Sequence, residues 1–158
     1  MPASADTADA DRLLACTPGR LVYSSRDPAS GAVVVCKRFE QGGLADAERE
    51  FDLARLVADL DVVEHLRAEE DPATGRPLLV TAYAEGESLE QMAARRGTLP
   101  AAEACALLAP VARTLAAMHD RRVSQAPFGL CHGDVKPSNL LATERGTLGS
   151  AAWWSTPS

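Results

Sequence analysis

Apolar runs three residues long, split by one recurring turn, mark the front of the chain. Leu21–Tyr23 and Val33–Val35 stand on either side of Asp27-Pro28-Ala29-Ser30-Gly31. β-Branched and aromatic residues suit a pleated surface, while Pro and Gly supply turn dihedrals, so the stretch predicts a hairpin. The device returns at Asp71-Pro72-Ala73-Thr74-Gly75, between the apolar run that begins at Val62 and Leu78–Val80. The two turns match and their flanks do not, which reads as shared turn chemistry rather than an internal repeat.

Between the hairpins the period changes. Residues 44–60 put Ala47, Phe51, Ala54 and the Val57–Ala58 pair on one stripe, the spacing of an amphipathic helix. Beyond the second hairpin, a short helix is predicted within residues 84–97. A long one follows within 99–122, with Ala104, Leu108, Val111, Leu115 and Met118 on one face. Pro100 suits the first turn of that helix. Pro110 lies inside it, has no N–H for the Ala106 carbonyl, and is expected to kink it.

This order gives an α+β fold: a β-rich N-terminal lobe with one helix over residues 13–81, a connection at 82–87, and a helical lobe over 88–148. The small, polar, acidic residues 1–12 are expected to form a disordered leader.

Composition narrows the picture. A chain of 158 residues with 46% hydrophobic content can bury the core of one domain, and 4% aromatics means that core is built from Leu, Val and Ala. The net charge of −6, with both signs interspersed, leaves no basic face for nucleic acid. Cysteines 16, 36, 105 and 131 show no C-x-x-C spacing and no His at ligand distance, so reduced thiols are expected. The N-terminus lacks a signal peptide, and no run approaches bilayer-spanning length. A soluble cytoplasmic protein without a membrane partner is the expectation. Alanine-rich, Arg-for-Lys usage points to a GC-rich bacterial coding sequence.

The densest chemistry lies in "CHGDVKPSNLL", Cys131 to Leu141. Asp134 and Asn139 share one loop. A carboxylate can accept the proton of a hydroxyl nucleophile, and an amide oxygen at that spacing can ligate Mg²⁺ beside a phosphate. Lys136 lies on the Asp134 side of an extended segment and can neutralise phosphoryl charge, while Pro137 stiffens the loop. Phosphoryl transfer asks for these parts, because it depends on positioning and charge stabilisation.

The segment resembles the catalytic loop of the protein kinases, H-R-D-L-K-P-x-N, at His132, Asp134, Lys136, Pro137 and Asn139, with Gly133 where many kinases carry Arg. That departure implies no dependence on activation-loop phosphorylation. Upstream, "VVVCKRF" is similar to the V-A-I-K strand, which makes Lys37 the residue that would hold the α- and β-phosphates. Glu50 is its expected ion-pair partner, preferred to Glu48 because Glu50 shares a face with Leu53, Ala54 and Val57. "LLVTAYAEGESL" resembles the inter-lobe hinge, with Thr81 as gatekeeper, backbone groups of Ala82 and Ala84 for adenine, and Glu87 near the ribose. The resemblance runs from about Leu21 to Leu148.

Departures from the family pattern shape the functional expectation. The phosphate-covering G-x-G-x-x-G is replaced by "CTPGR", with Gly19 alone. No Asp follows Asp134, so the Asp-Phe-Gly carboxylate that would hold Mg²⁺ is missing, and Glu144 is the one later acid. We therefore expect the front portion of a bacterial-type Ser/Thr protein kinase-like domain, with an incomplete helical C-lobe, cut after its catalytic loop. Residues 149–158, with Trp153 and Trp154, form a tail outside the family pattern.

Asp134 and Lys136 are the implied catalytic pair and Asn139 the metal ligand. Lys37, Glu50, Ala82, Ala84 and Glu87 form the nucleotide set. ATP and Mg²⁺ are expected to bind weakly, with a protein substrate or a partner on an exposed helical face. Two rivals stand beside this: a non-catalytic pseudokinase-type interaction module, and an aminoglycoside- or choline-type phosphotransferase fragment. Gly133 points to the latter, and Lys136-Pro137 points more strongly to the Ser/Thr kinases.

Overall fold

A computed structural model of the chain describes residues 12–124 and 127–143, with the backbone alone of 146–149. The leader up to residue 11, Glu144, and Trp153 and Trp154 lie outside the described residues. Five strands, β1 (Leu13–Thr17), β2 (Arg20–Arg26), β3 (Val33–Phe39), β4 (His65–Glu70) and β5 (Pro77–Ala82), form one antiparallel sheet in the order β1-β2-β3-β5-β4. Helix α1 (Leu44–Arg55) interrupts the strands, and β6 (Glu87–Ser88), α2 (Leu89–Arg96) and α3 (Ala101–Asp120) follow. Strand β7 (Leu140–Thr143) pairs on one side with β6 and on the other with β8 (Gly146–Gly149), forming a second, three-stranded sheet. The α+β expectation holds.

Both predicted hairpins form, and their turns are built alike. Asp27 N donates to the Ala32 carbonyl at 2.8 Å and Asp27 O accepts from Gly31 N at 2.8 Å. Asp71 repeats the pattern with Arg76 at 2.8 Å and Gly75 at 2.7 Å. Each Asp carboxylate also accepts the hydroxyl three residues on, from Ser30 and Thr74, at 2.7 Å in both cases. Gly31 and Gly75 take φ values of 72° and 66°, a region that costs other residues a Cβ clash. The flanks differ, so turn chemistry alone recurs.

Spatial proximity divides the chain into two units, Met1–Phe51 with His65–Tyr83 and Asp52–Glu64 with Ala84–Ser158. In the first, one face of the sheet buries Val34, Cys36, Leu78 and Val80 with Tyr23 beside them. The other face buries Phe39 and Leu79 against Ala47, with Phe51 and Ala68 packed alongside. This is alternation at period two on a central strand. In the second unit, Leu53, Ala54 and Val57 close over Met118 and Leu130, and Leu89, Val111 and Leu140 form a neighbouring cluster. The core is aliphatic, as the shortage of aromatics requires.

Several local expectations are corrected. Strand β1, directly before the first anticipated strand, has no apolar alternation to announce it, and all five of its residues are exposed. Helix α1 stops at Arg55, and the chain continues in tighter turns, with Leu56 N on Leu53 O and Val57 N on Ala54 O, each at 3.1 Å. That change of pitch carries Ala58 to the surface while Val57 stays buried. Arg121, at the end of α3, donates to the Leu56 carbonyl and pairs with Asp59 at 2.5 Å. Its hydrogen bonds draw the Asp59 carboxyl down to about 2.

Helix α2 is capped by Ser88. Gln91 N donates to Ser88 Oγ at 3.1 Å and Ser88 N to Gln91 Oε1 at 3.0 Å, which starts the helix five residues later than the predicted window. Pro100 occupies the cap before α3 rather than its first turn, and α3 runs through Pro110 as one 20-residue helix. Its buried face is Val111, Thr114 and Met118, with Leu107 and Leu115 partly buried. Leu108, expected inside, is 46% exposed. By length and mean hydropathy α3 also reaches the bilayer-spanning range, contrary to the expectation that no segment does. It carries Arg113 near its middle, and Met118 is fully buried against Leu53, Ala54, Val57 and Leu130.

Candidate functional site

Lys37 enters the sheet unit on β3, and alternation along the strand puts it on the face of Phe39, toward α1. Its Nζ lies 2.5 Å from Glu50 Oε1, with side chains 11% and 7% exposed. Glu50 projects from the buried side of α1, whereas Glu48 is exposed. Lys37 thus pairs with Glu50, the acid on the helix face shared with Leu53 and Ala54, and not with Glu48. The lysine ammonium donates to this carboxylate, which fixes its position on the sheet face. A fixed buried cation of this kind fits the phosphates of a nucleotide.

The loop over this face is absent from the β1–β2 connection. Only Pro18 and Gly19 join the strands, and Gly19 O accepts from Glu40 N at 3.0 Å. Arg20 follows at once, opposite Phe39 in the ladder.

The hinge-type residues divide between the units. Thr81 pairs with Val35 and with His65 inside the sheet, and Ala82 ends β5 opposite Val34. Ala84 lies in the loop before β6, half-buried. Glu87 opens β6 and accepts from Arg95 Nε at 3.0 Å and Nη2 at 2.6 Å. Arg95 holds its carboxyl below the usual range. That pair ties Glu87, just before α2, to Arg95 in the last turn of the helix, eight residues on.

In the helical unit, the loop from His132 to Asn139 folds on itself. His132 is buried, and its Nδ1 accepts from Asp134 N at 3.3 Å. Gly133 takes φ 79°, a left-handed conformation that gives the peptide this reversal without Cβ strain. A single 3-10 turn over Pro137–Asn139 then brings the amide back. Asn139 Nδ2 donates to Asp134 O at 2.8 Å and Asp134 Oδ2 at 2.9 Å, and Lys136 Nζ reaches Asp134 Oδ2 at 2.8 Å. The Lys136 ammonium holds the Asp134 carboxyl below its ordinary value; partial burial works against it and Asn139 adds to it. The three residues singled out by spacing thus meet at one carboxylate.

Magnesium fits this loop poorly. The Asn139 amide turns its nitrogen to Asp134, which leaves one neutral oxygen as the metal donor, and Asp134 is itself engaged by Lys136. Among the described residues no group of three His, Cys, Asp or Glu could hold a metal. Mg²⁺ demands near-octahedral oxygen ligation, and this donor set falls short of it.

Sequence reasoning passed over two residues near these sites. Thr114 is a buried polar side chain on α3 that lines, with His132, Met118, Val62 and Leu140, a small cavity of about 10 Å³ behind the loop. Arg20, one residue before the anticipated run Leu21–Tyr23, is the other; its spacing of two from Val22 puts both on one strand face.

Comparison with known proteins matches residues 19–149 to the protein kinase domain family. The chain is 35% identical over 132 residues to the serine/threonine-protein kinase AfsK of Streptomyces coelicolor, covering 80% of this chain and 15% of that protein. It is 36% identical over 96 residues to the serine/threonine-protein kinase PknL of Mycobacterium tuberculosis, covering 60% of this chain and 22% of that one. A probable serine/threonine-protein kinase of Clostridium perfringens is 34% identical over 70 residues, 44% of this chain and 9% of its own length. The chain therefore spans less than a quarter of the length of these relatives.

Proposed function

Since this chain belongs to the protein kinase domain family, we propose that it receives ATP and serves transfer of the terminal phosphoryl group to a serine or threonine hydroxyl. The observation that carries this is the convergence of Lys136 Nζ and Asn139 Nδ2 on Asp134 Oδ2, at 2.8 and 2.9 Å. Asp134 orients the hydroxyl and takes its proton as the oxygen forms its bond to the γ-phosphorus and ADP leaves. Its depressed pKa keeps it ionised at neutral pH, in the state that can accept. Lys136 then turns from Asp134 toward the charge on the transferring group, and Lys37, held by Glu50, steadies the α- and β-phosphates.

The sequence contains no Asp after Asp134 and no three-glycine loop. For these 158 residues alone we therefore expect weak ATP affinity and negligible transfer. Isothermal titration calorimetry with ATP on the chain, and on the Lys37→Met/Glu50→Leu double variant, tests the first part. Weak binding to the parent, lost in the double variant, is expected. A parent that takes up no nucleotide at millimolar concentration refutes the reading. Radiolabel transfer to a protein acceptor tests the second part, and measurable transfer abolished by Asp134→Asn overturns the expected inactivity.

The exposed arc of α3 favours a second reading. Leu108, Ala109, Ala112 and Ala116 face solvent with Arg113 among them, an apolar surface that suits a non-catalytic interaction module. Sedimentation showing a monomer at all concentrations argues against it.

A further inference from the structure

We propose that Arg20 takes over the phosphate-covering role of the missing glycine loop, gripping the nucleotide's phosphates through its guanidinium. This rests on the nucleotide reading above and adds a residue to it. Strands β1 and β2 are joined by Pro18 and Gly19 alone, so no run of backbone amides can close over a phosphate at that end of the sheet. What stands there is a cation. Arg20 pairs with Phe39 and Val22 with Lys37 in the β2–β3 ladder. Directly opposed residues, and residues two apart on a strand, project from the same face. Arg20 and Lys37 are therefore on one face of the sheet, the face on which Glu50 holds Lys37.

Phe39 links them. The Arg20 guanidinium carbon lies 4.9 Å from the centre of the Phe39 ring, and Lys37 Nζ lies 5.5 Å from the same centre. The two cations are thus at most about 10 Å apart and share one aromatic surface. Phe39 is itself buried, so the surface is fixed. Arg20 is half-buried, which limits its rotamers without shutting it from a ligand. Chemistry favours arginine here: its planar fork stacks on an aromatic ring and meets phosphate oxygens in pairs, neither of which a lysine does as well. Lys37 is already matched by Glu50, and a second cation is what a polyanion needs beside that pair.

Calorimetry with adenosine and with ATP tests this on the 158-residue chain, since adenosine lacks the phosphates that Arg20 is assigned to hold. Arg20→Gln is expected to lower ATP affinity about tenfold and leave adenosine unchanged. Arg20→Lys is expected to lose severalfold for ATP, and far-UV circular dichroism confirms the fold of both. A purely structural Arg20–Phe39 contact would shift stability and leave the ATP-to-adenosine ratio intact, and that result overturns the proposal. The Lys37→Met/Glu50→Leu variant separates the two levels. If it loses the preference for ATP while Arg20→Gln keeps it, only the role of Arg20 fails. If the parent itself does not distinguish ATP from adenosine, the nucleotide reading fails and this inference with it.

Discussion

Lys37 Nζ and Glu50 Oε1 meet at 2.5 Å across thirteen positions of sequence, one on a strand and the other on the next helix, with both side chains buried. A buried pair of this kind is costly to break and cheap to replace. Removing one partner leaves a charge in a low-dielectric site, whereas removing both leaves apolar packing.

Glu50→Ala is accordingly expected to lower the free energy of unfolding by about 3 kcal/mol or more. Lys37→Met/Glu50→Leu recovers most of that loss. Urea denaturation of the three proteins measures it, and a single variant as stable as the parent would contradict the burial of the pair.

Asp134 makes a pH prediction. Its carboxyl lies below the ordinary value of 3.8 chiefly because Lys136 donates to it, with Asn139 adding a smaller share against the effect of burial. A folded-state value below the unfolded one means that the ionised loop adds stability above pH 3.8. That share disappears as the pH falls through the lowered value. Titration followed by carboxyl ¹³C chemical shifts should show the Asp134 midpoint rising in Lys136→Ala, and rising less in Asn139→Ala. An unchanged midpoint in Lys136→Ala would remove the assigned cause.

Two glycines with similar backbone signs should respond very differently to alanine. Gly75 has φ 66° and open space around the added Cβ, so Gly75→Ala is expected to cost only the left-handed strain, about 1–2 kcal/mol. Gly129 has φ 100°, and its added Cβ would come within 2.0 Å of the His119 carbonyl oxygen. Gly129→Ala must push α3 from the segment leading into the His132–Asn139 loop. Thermal melts should show a modest shift for the first variant and a severe loss for the second.

Along α3, Met118 and Leu108 offer a direct comparison of buried and exposed apolar side chains. Met118→Ala opens a cavity under Leu53, Val57 and Leu130 and is expected to cost about 2–5 kcal/mol. Leu108→Ala removes a side chain that is nearly half exposed and should change the urea midpoint little. Equal effects would mean that the helix is turned about its axis from the face described.

Much of this was legible in the chain before any coordinates. The two Asp-Pro-Ala-x-Gly turns follow from local chemistry, because an Asp acceptor, a hydroxyl three residues on and a glycine free of Cβ define the turn within five residues. The loop around Asp134 is equally local: Asp134, Lys136 and Asn139 span six positions, and Gly133 and the Pro137 turn steer them together. Preference for Glu50 over Glu48 needed only the helical period.

Other features depended on partners distant in sequence. Strand β1 has no apolar alternation and exists because β2 offers it a hydrogen-bonding edge. Where α1 ends is set by its departure into tighter turns and by Arg121, 65 residues past Leu56, bonding that carbonyl. Periodicity located a stripe on α3 but could not rank Leu107 above Leu108, since neighbouring positions differ by the direction from which Leu89 and Leu140 approach.

The amino-acid order by itself determined the turns, the succession of strands and helices, and the loop that gathers groups around Asp134, because each depends on residues a few positions apart. Tertiary structure decided which charges are buried together, which apolar residues face solvent, and that Arg20 shares an aromatic ring with Lys37. Those outcomes come from the pairing of strands and the packing of faces, and their free energy lies in contacts between segments that composition and spacing do not relate.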